Sequence, residues 1–252
     1  MGTVNFEVHS SVAVITLDDP ATKNAVDTPM RDSLKAAYDE VERNDAIRVA
    51  VVRGANATFC TGGSIDNYLK DKAFGPGGVG PAVLPKPWGL YKPFIAAIRG
   101  HAVGGGFGLA LACDLRVLGR SAIIGPSGLK RAVLQGAGVS QMLPRLIGVS
   151  KALELMLLSR YISADEALAM GLANAVVDDD QVDDRAMEWA AHIAEYDPWP
   201  VAQTKRLVYE GLHLPLNEAL KWEAQLALEG YQRPEALENY AAFSAARGAR
   251  KT

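Results

Sequence analysis

Two glycine-dense segments of the 252-residue chain stand where short apolar runs end. The first is Phe59-Cys60-Thr61-Gly62-Gly63, after Val49-Ala50-Val51-Val52 and the turn residue Gly54. The second is Gly100-His101-Ala102-Val103-Gly104-Gly105-Gly106-Phe107-Gly108, directly after residues 94–98. Glycine at a strand–helix junction lets the backbone approach a ligand closely. It also leaves amide N–H groups to point at an anion or a developing oxyanion. Ligands of open α/β sheets bind at the carboxyl ends of strands, so two such junctions could offer one donor each to a shared carbonyl oxygen. The same glycines also suit tight helix–sheet packing with no ligand. From the residues alone, both readings stand.

The elements that must hold these segments are partly legible. Residues 12–17 are a β-rich run ending at Asp18-Asp19-Pro20, a strand followed by a turn. Thr28-Pro29 opens a helix to about Arg43, with Leu34, Ala37, Tyr38 and Val41 on one face. Residues 48–53, 94–99 and 115–118 read as strands covered on both faces. Their alternation with helices predicts an α/β core. Residues 66–91 are a long Gly/Pro-rich connection, of the length of a lid or mobile segment, and residues 74–87 read equally as a disordered insertion. Beyond Val139 the pattern is largely helical. Ser150 starts one helix, and Ser163-Ala164-Asp165-Glu166 is a capping-box pattern ahead of a stop at Gly171. Residues 174–177 form a last strand, and further helices start near Gln181, Pro198, Pro215 and Pro234. Trp189, Trp199 and Trp222 are read as packing residues.

Composition narrows the function. Lys+Arg 26 against Asp+Glu 29 gives a net charge of -3, which argues against a nucleic-acid binder. The two cysteines, Cys60 and Cys113, make neither a disulfide framework nor a zinc site. No apolar run reaches about eighteen residues, so no membrane span is expected. Residues 1–10 are neither basic nor continuously apolar, and the expectation is a cytoplasmic protein with reduced thiols. Gly75-Pro76-Gly77-Gly78-Val79-Gly80 fits the dinucleotide pattern but lacks the strand and helix that pattern requires. Gly125-Pro126-Ser127-Gly128 is one residue short of a nucleophile elbow, and no His–acid pair stands out to serve it.

The order and spacing of further motifs resemble the crotonase (enoyl-CoA hydratase/isomerase) superfamily. They are Asn24-Ala25, the two glycine segments, Ala112-Cys113-Asp114-Leu115-Arg116, Gly136-Ala137-Gly138, Leu143-Pro144-Arg145-Leu146-Ile147-Gly148, Ala167-Leu168-Ala169-Met170-Gly171-Leu172-Ala173-Asn174, and Ala242-Phe243 with Arg247. The resemblance implies an α/β fold with a spiral β–β–α core over residues 1–195. Its strands would lie in two nearly perpendicular sheets. A C-terminal helical trimerisation region would span residues 196–252, giving a trimer or a hexamer built as a dimer of trimers. It implies an acyl-CoA thioester as ligand or substrate, with no metal or redox cofactor. By the same resemblance, the N–H groups of Thr61 and Gly105 form an oxyanion hole. Phe59, Cys60, Gly62, Gly63, Ser64 and Gly104, with Lys23, Asn24 and Ala25, border the bound molecule. Phe243 and Arg247 face the CoA nucleotide, of the same subunit or of a neighbouring one.

The chain departs from that pattern at the acid–base positions. Family hydratases carry two glutamates there, and this chain has Gly108 and Gly128; a third position, aspartate in some isomerases, is Gly136. Glycine has no side-chain donor or acceptor. Conventional hydration is therefore expected to be absent or very slow. Three readings follow. The acid–base groups have moved, with Asp66 ranked first among Tyr68, Lys70, Asp71, Lys72, Lys130, Arg131 and Gln135. Alternatively, the protein binds acyl-CoA without turning it over. Or the glycines enlarge the acyl pocket. His101 is expected in the core, and Cys60 lacks a base that would make it a nucleophile.

Overall fold

The computed structural model of the protein describes residues 2–65 and 90–249. The chain divides into two compact units, Met1–Ala194 and Glu195–Thr252. In the first unit the strands are β1 (Thr3–His9), β2 (Val12–Asp18), β3 (Val49–Gly54), β4 (Phe94–Ile98), β5 (His101–Val103), β6 (Leu115–Gly119), β7 (Ile123–Gly125), β8 (Ile162–Ser163) and β9 (Ala175–Val177). Among the described residues they form a six-stranded sheet, ordered β1-β2-β3-β4-β6-β9, and a three-stranded sheet, β5-β7-β8. Every pairing from β2 to β9 in the large sheet is parallel; β1 is an antiparallel edge. In the small sheet β5 and β7 are parallel, with Val103 opposite Gly125.

The parallel strands are apolar at almost every position because both faces are covered. Side chains alternate across a strand. Val49, Val51, Ile95, Ala97 and Val117 pack on one face against Val182, Ala186, Ala190 and Ala194. Those four recur every fourth residue on a helix, Val182–Ala194. Ala50, Val52, Phe94, Ala96 and Ile98 face the larger core, where Met30, Leu34, Tyr38 and Val41 meet them. These come from α1 (Thr28–Arg43), capped by Asp27, which accepts from the Met30 N–H. Such a cap is worth about 1 kcal/mol.

The helix α2 (Gly105–Ala112) is buried from Gly106 to Ala112 and carries no charge. A helix that is apolar all round belongs inside a core. Its end is held by Arg116, whose buried guanidinium donates to the carbonyls of Cys113 at 2.6 Å, Ala110 at 3.3 Å and Leu172 at 2.6 Å. A cation at a helix C-terminus complements the dipole. Asp114 accepts from the Phe94 N–H at 2.7 Å, tying the α2 exit to β4. Then come α3 (Val139–Ile147), α4 (Val149–Leu157), α5 (Ala164–Ala169) and α6 (Val182–Ala194). The capping box ahead of α5 forms as expected, with Ser163 and Glu166 bonding reciprocally.

The second unit holds α7 (Pro198–Gly211), α8 (Leu216–Gln232) and α9 (Pro234–Ala249). Asp197 caps α7 through the Trp199 N–H, and the Arg233 guanidinium lies 5.0 Å from the Trp199 ring centre. Trp199 thus packs, as Trp189 does against the sheet. Leu212, Leu216, Leu220, Leu228, Leu237 and Tyr240 are exposed. No helix among the described residues is long and apolar enough to cross a membrane.

Candidate functional site

The two glycine segments meet. Phe59 N–H donates to Arg99 O at 2.9 Å, Cys60 N–H to His101 O at 2.8 Å, and Val103 N–H back to Cys60 O at 3.1 Å. On the other side, Val26 N–H donates to Gly62 O at 2.7 Å and Ser64 N–H to Val26 O at 2.9 Å. Residues 59–64 are therefore stitched between β5 and the 24–26 segment. The closeness requires glycine. Gly62 has φ +106°, and a Cβ there would lie 2.9 Å from Gly105 N; a Cβ on Gly106 would overlap the Cys60 carbonyl oxygen.

Close packing and donor exposure thus coincide, rather than exclude each other. Among the described residues, neither the Thr61 N–H nor the Gly105 N–H has an acceptor. Gly105 is the first residue of α2, and its N-cap, Gly104, supplies no side-chain acceptor. An uncapped helix start leaves its first N–H groups unsatisfied and carries partial positive charge. Two uncommitted amides beside that dipole suit a partly anionic oxygen.

The neighbouring residues divide into struts and open surface. Thr61 Oγ1 lies 3.0 Å from Thr22 O and 3.1 Å from Lys23 O, pinning a turn in which Lys23 and Asn24 have φ +57° and +59°. Asn24 is buried. Its Oδ1 accepts from Asp19 N–H at 2.8 Å, and its Nδ2 donates to Ala55 O at 3.1 Å and Thr58 O at 2.7 Å. That side chain holds the turn; Lys23 is exposed and Ala25 half-buried. Burial pushes the Cys60 thiol up to about 12, against a weak lowering by the Gly62 amide, so it stays a thiol at neutral pH.

The three vacant acid–base positions differ. A Cβ on Gly108 would overlap the Ala137 carbonyl oxygen and lie 2.7 Å from Ala137 Cβ. On Gly128 it would lie 2.8 Å from Val133 O and 3.0 Å from Gln135 Oε1. The expectation of a pocket enlarged at all three is corrected: Ala137 and Gln135 fill the space at two. Only Gly136 is open, with no atom within 4 Å of its missing Cβ among the described residues. Gln135 is buried, and its Oε1 accepts from the Ser127 N–H at 2.9 Å and the Gly128 N–H at 2.7 Å.

Other expected residues lie elsewhere. Lys130 and Arg131 are exposed, with Lys130 Nζ 3.9 Å from the Tyr161 ring centre. His101 is also exposed, not packed in the core, because it is the outer first residue of β5. Phe243 and Arg247 are exposed on α9. Asp66, Tyr68, Lys70, Asp71 and Lys72 lie outside the described residues. Among the described residues no three His, Cys, Asp or Glu side chains gather as a metal site would need.

Ser127, set aside in the sequence as part of an incomplete nucleophile elbow, has a different place in the structure. It is 7% exposed, and its Oγ lies 2.7 Å from where a Gly104 Cβ would sit. Its position directly before the second vacant glycine was the available signal.

The sequence model of the enoyl-CoA hydratase/isomerase family matches residues 7–248. The chain belongs to the enoyl-CoA hydratase/isomerase (crotonase) family. It is 36% identical over 229 residues to an (E)-benzylidenesuccinyl-CoA hydratase of Thauera aromatica, covering 86% of each chain. It is 33% identical over 239 residues to an enoyl-CoA hydratase of Mycobacterium tuberculosis, covering 92% of this chain and 89% of the relative. A crystal structure of a probable enoyl-CoA hydratase/isomerase from Mycobacterium abscessus superposes with TM-score 0.90 at 32% identity, covering 98% of this chain and 97% of that one. Another, of an enoyl-CoA hydratase from Polaromonas, superposes with TM-score 0.90 at 27% identity, covering 97% of each. The crotonase-family fold is thus shared over nearly the whole length.

Proposed function

We propose that this crotonase-family chain binds an acyl-CoA thioester and holds the thioester oxygen between the N–H groups of Thr61 and Gly105. The observation that carries the reading is the pair of uncommitted amides brought together by Gly62 and Gly105. A thioester enolate concentrates negative charge on that oxygen, and preorganised donors stabilise it without reorganisation; removing one typically costs roughly 3 kcal/mol. The names of the relatives, which act on CoA thioesters, support the ligand class. The exposed Lys23 and the 59–64 segment border the bound molecule. The chemistry needs no metal or redox cofactor.

Conventional hydration of an enoyl-CoA is not the reaction. It needs groups to activate water and protonate carbon, and positions 108 and 128 hold neither. Asp66 is the foremost replacement. The alternative is a carrier that binds acyl-CoA without turnover, and the filling of both positions by Ala137 and Gln135 favours it. The exposed leucines of the second unit provide an apolar surface for self-association as a trimer or hexamer.

Calorimetry with a panel of acyl-CoAs tests binding, and micromolar affinity for at least one is expected. No binding to any would defeat both readings. Turnover of crotonyl-CoA near an ordinary enzyme rate, about 10 per second, would contradict the absence of conventional hydration. Where turnover of another acyl-CoA is found, Asp66→Asn abolishes it while leaving binding intact if that residue is the acid–base group.

A further inference from the structure

Ser127 is a mostly buried residue beside the oxyanion site, and its hydroxyl has no hydrogen-bond partner among the described residues. The parallel pairing of β5 with β7 sets Val103 opposite Gly125, and the Gly104 N–H donates to Gly125 O at 3.1 Å. Two residues on, Ser127 Oγ comes 2.7 Å from the place of a Gly104 Cβ. Apart from Gly104 and its chain neighbours Val103 and Gly105, the one other atom within 4 Å of that place among the described residues is Thr61 O, at 3.8 Å. The hydroxyl thus stands against the backbone of Gly104, whose neighbour Gly105 carries the second amide donor, with Thr61 O nearby.

Although Ser127 as a residue is 7% exposed, the hydroxyl oxygen itself is not sealed off, so its donor is free to meet a ligand oxygen. The backbone beneath it is rigid for its own reason. Gln135 Oε1 takes the N–H groups of both Ser127 and Gly128. Those bonds fix the peptide that carries the side chain, so the hydroxyl need not be recruited by the ligand.

Resting on the acyl-CoA reading above, we infer that Ser127 Oγ–H is a third hydrogen-bond donor to the thioester oxygen, strengthening as that oxygen gains enolate charge. The proton stays on Ser127 and no bond is broken. A hydroxyl is one donor with two lone pairs, and donation to an anionic acceptor is stronger than to a neutral one. The effect therefore falls on the enolate more than on the neutral thioester.

Acetoacetyl-CoA is a suitable probe, because its 3-oxoacyl group ionises to an enolate that absorbs in the near ultraviolet. Its apparent pKa when bound is read by pH titration, with butyryl-CoA affinity measured in parallel by calorimetry. Bound to the parent protein, acetoacetyl-CoA titrates below its free value. Ser127→Ala raises the bound value by about one unit, a tenfold loss in the enolate-to-keto ratio, while butyryl-CoA affinity changes less than about threefold. Ser127→Cys, close in shape but a weak donor, falls between. Thermal unfolding of each variant checks that it is folded. A bound pKa unchanged in Ser127→Ala, with the parent value lowered, overturns the assignment and leaves the two-amide reading standing. Equal weakening of both ligands overturns it as well, since that marks packing rather than enolate recognition. Failure of the parent to bind either ligand removes the acyl-CoA reading itself.

Discussion

Gln135 Oε1 accepts a hydrogen bond from the Gly128 N–H at 2.7 Å. The carboxamide of one residue thereby occupies the ground beside a glycine where family hydratases keep a glutamate. The same oxygen accepts from the Ser127 N–H at 2.9 Å. Replacing Gln135 by leucine leaves both buried N–H groups without an acceptor, at about 1–3 kcal/mol each. Gln135→Leu is therefore expected to lose about 2–6 kcal/mol in urea denaturation. A loss below about 0.5 kcal/mol, the scale of an ordinary surface change, would show that the clamp contributes nothing.

The two other vacant positions respond in opposite ways. At Gly108 a methyl group collides with the Ala137 backbone, so Gly108→Ala costs about 1–3 kcal/mol of stability by overpacking. At Gly136 nothing stands within 4 Å among the described residues, and Gly136→Ala stays within about 0.5 kcal/mol. Thermal or chemical unfolding of the pair decides the point, and equal effects would contradict the packing described.

Side-chain replacement at Thr61 leaves its amide in place, so Thr61→Ala is mild. It loses the contacts to Thr22 O and Lys23 O, worth about 1 kcal/mol together, and only modestly weakens binding. Gly105→Pro, by contrast, deletes a donor. Proline is tolerated at the first helical position, where Gly105 stands. Its Cβ would approach Gly62 Cα at 3.3 Å, so the neighbouring backbone must give by a few tenths of an ångström. The variant is expected to lose about 3 kcal/mol of enolate stabilisation. Acetoacetyl-CoA enolate affinity measures it, with a melting curve to confirm the fold; unchanged affinity would remove Gly105 from the site.

The Cys60 thiol is pushed from its ordinary 9.0 up to about 12 in the folded protein, chiefly by burial. Above pH 9 the unfolded chain loses this proton while the folded chain keeps it. The unfolded state then binds fewer protons, so stability falls as pH rises. The contribution is fully present below about pH 9 and is lost between pH 9 and 12. Cys60→Ala should show a shallower decline over that window. Iodoacetamide at pH 8 should leave Cys60 unmodified in the native protein and alkylate it once unfolded.

The parts of the fold legible in the sequence are those with enough residues to show a period. The face of α1 from Leu34 to Val41 is buried as read, and the starts of α6, α7, α8 and α9 fall at or beside Gln181, Pro198, Pro215 and Pro234. The edge strand β1 went unread because it is mostly exposed and half polar. Strands β5, β7 and β8 are two or three residues long, too short for alternation to register. The site follows the same logic. Dense glycine marked the two junctions, since close approach demands it locally. Ser127 was legible only as part of an incomplete nucleophile elbow and Gln135 only as a replacement acid–base group, because the clamp between them arises when residues 128–135 fold back and bring them together. Asn24 was legible as a motif residue but not as a strut, since its partners at Ala55 and Thr58 are more than thirty residues away.

A thioester carbonyl held between two backbone amides is polarised, and isotope-edited infrared difference spectroscopy reads that polarisation. Butyryl-CoA labelled with carbon-13 at the thioester carbonyl is titrated into the protein, and its carbonyl stretch is compared with that of the free compound. Hydrogen bonds from Thr61 and Gly105 polarise the carbonyl, so the band is predicted to move to lower frequency on binding, and to move less in Gly105→Pro. A saturated complex whose carbonyl band stays at the free position would contradict the account.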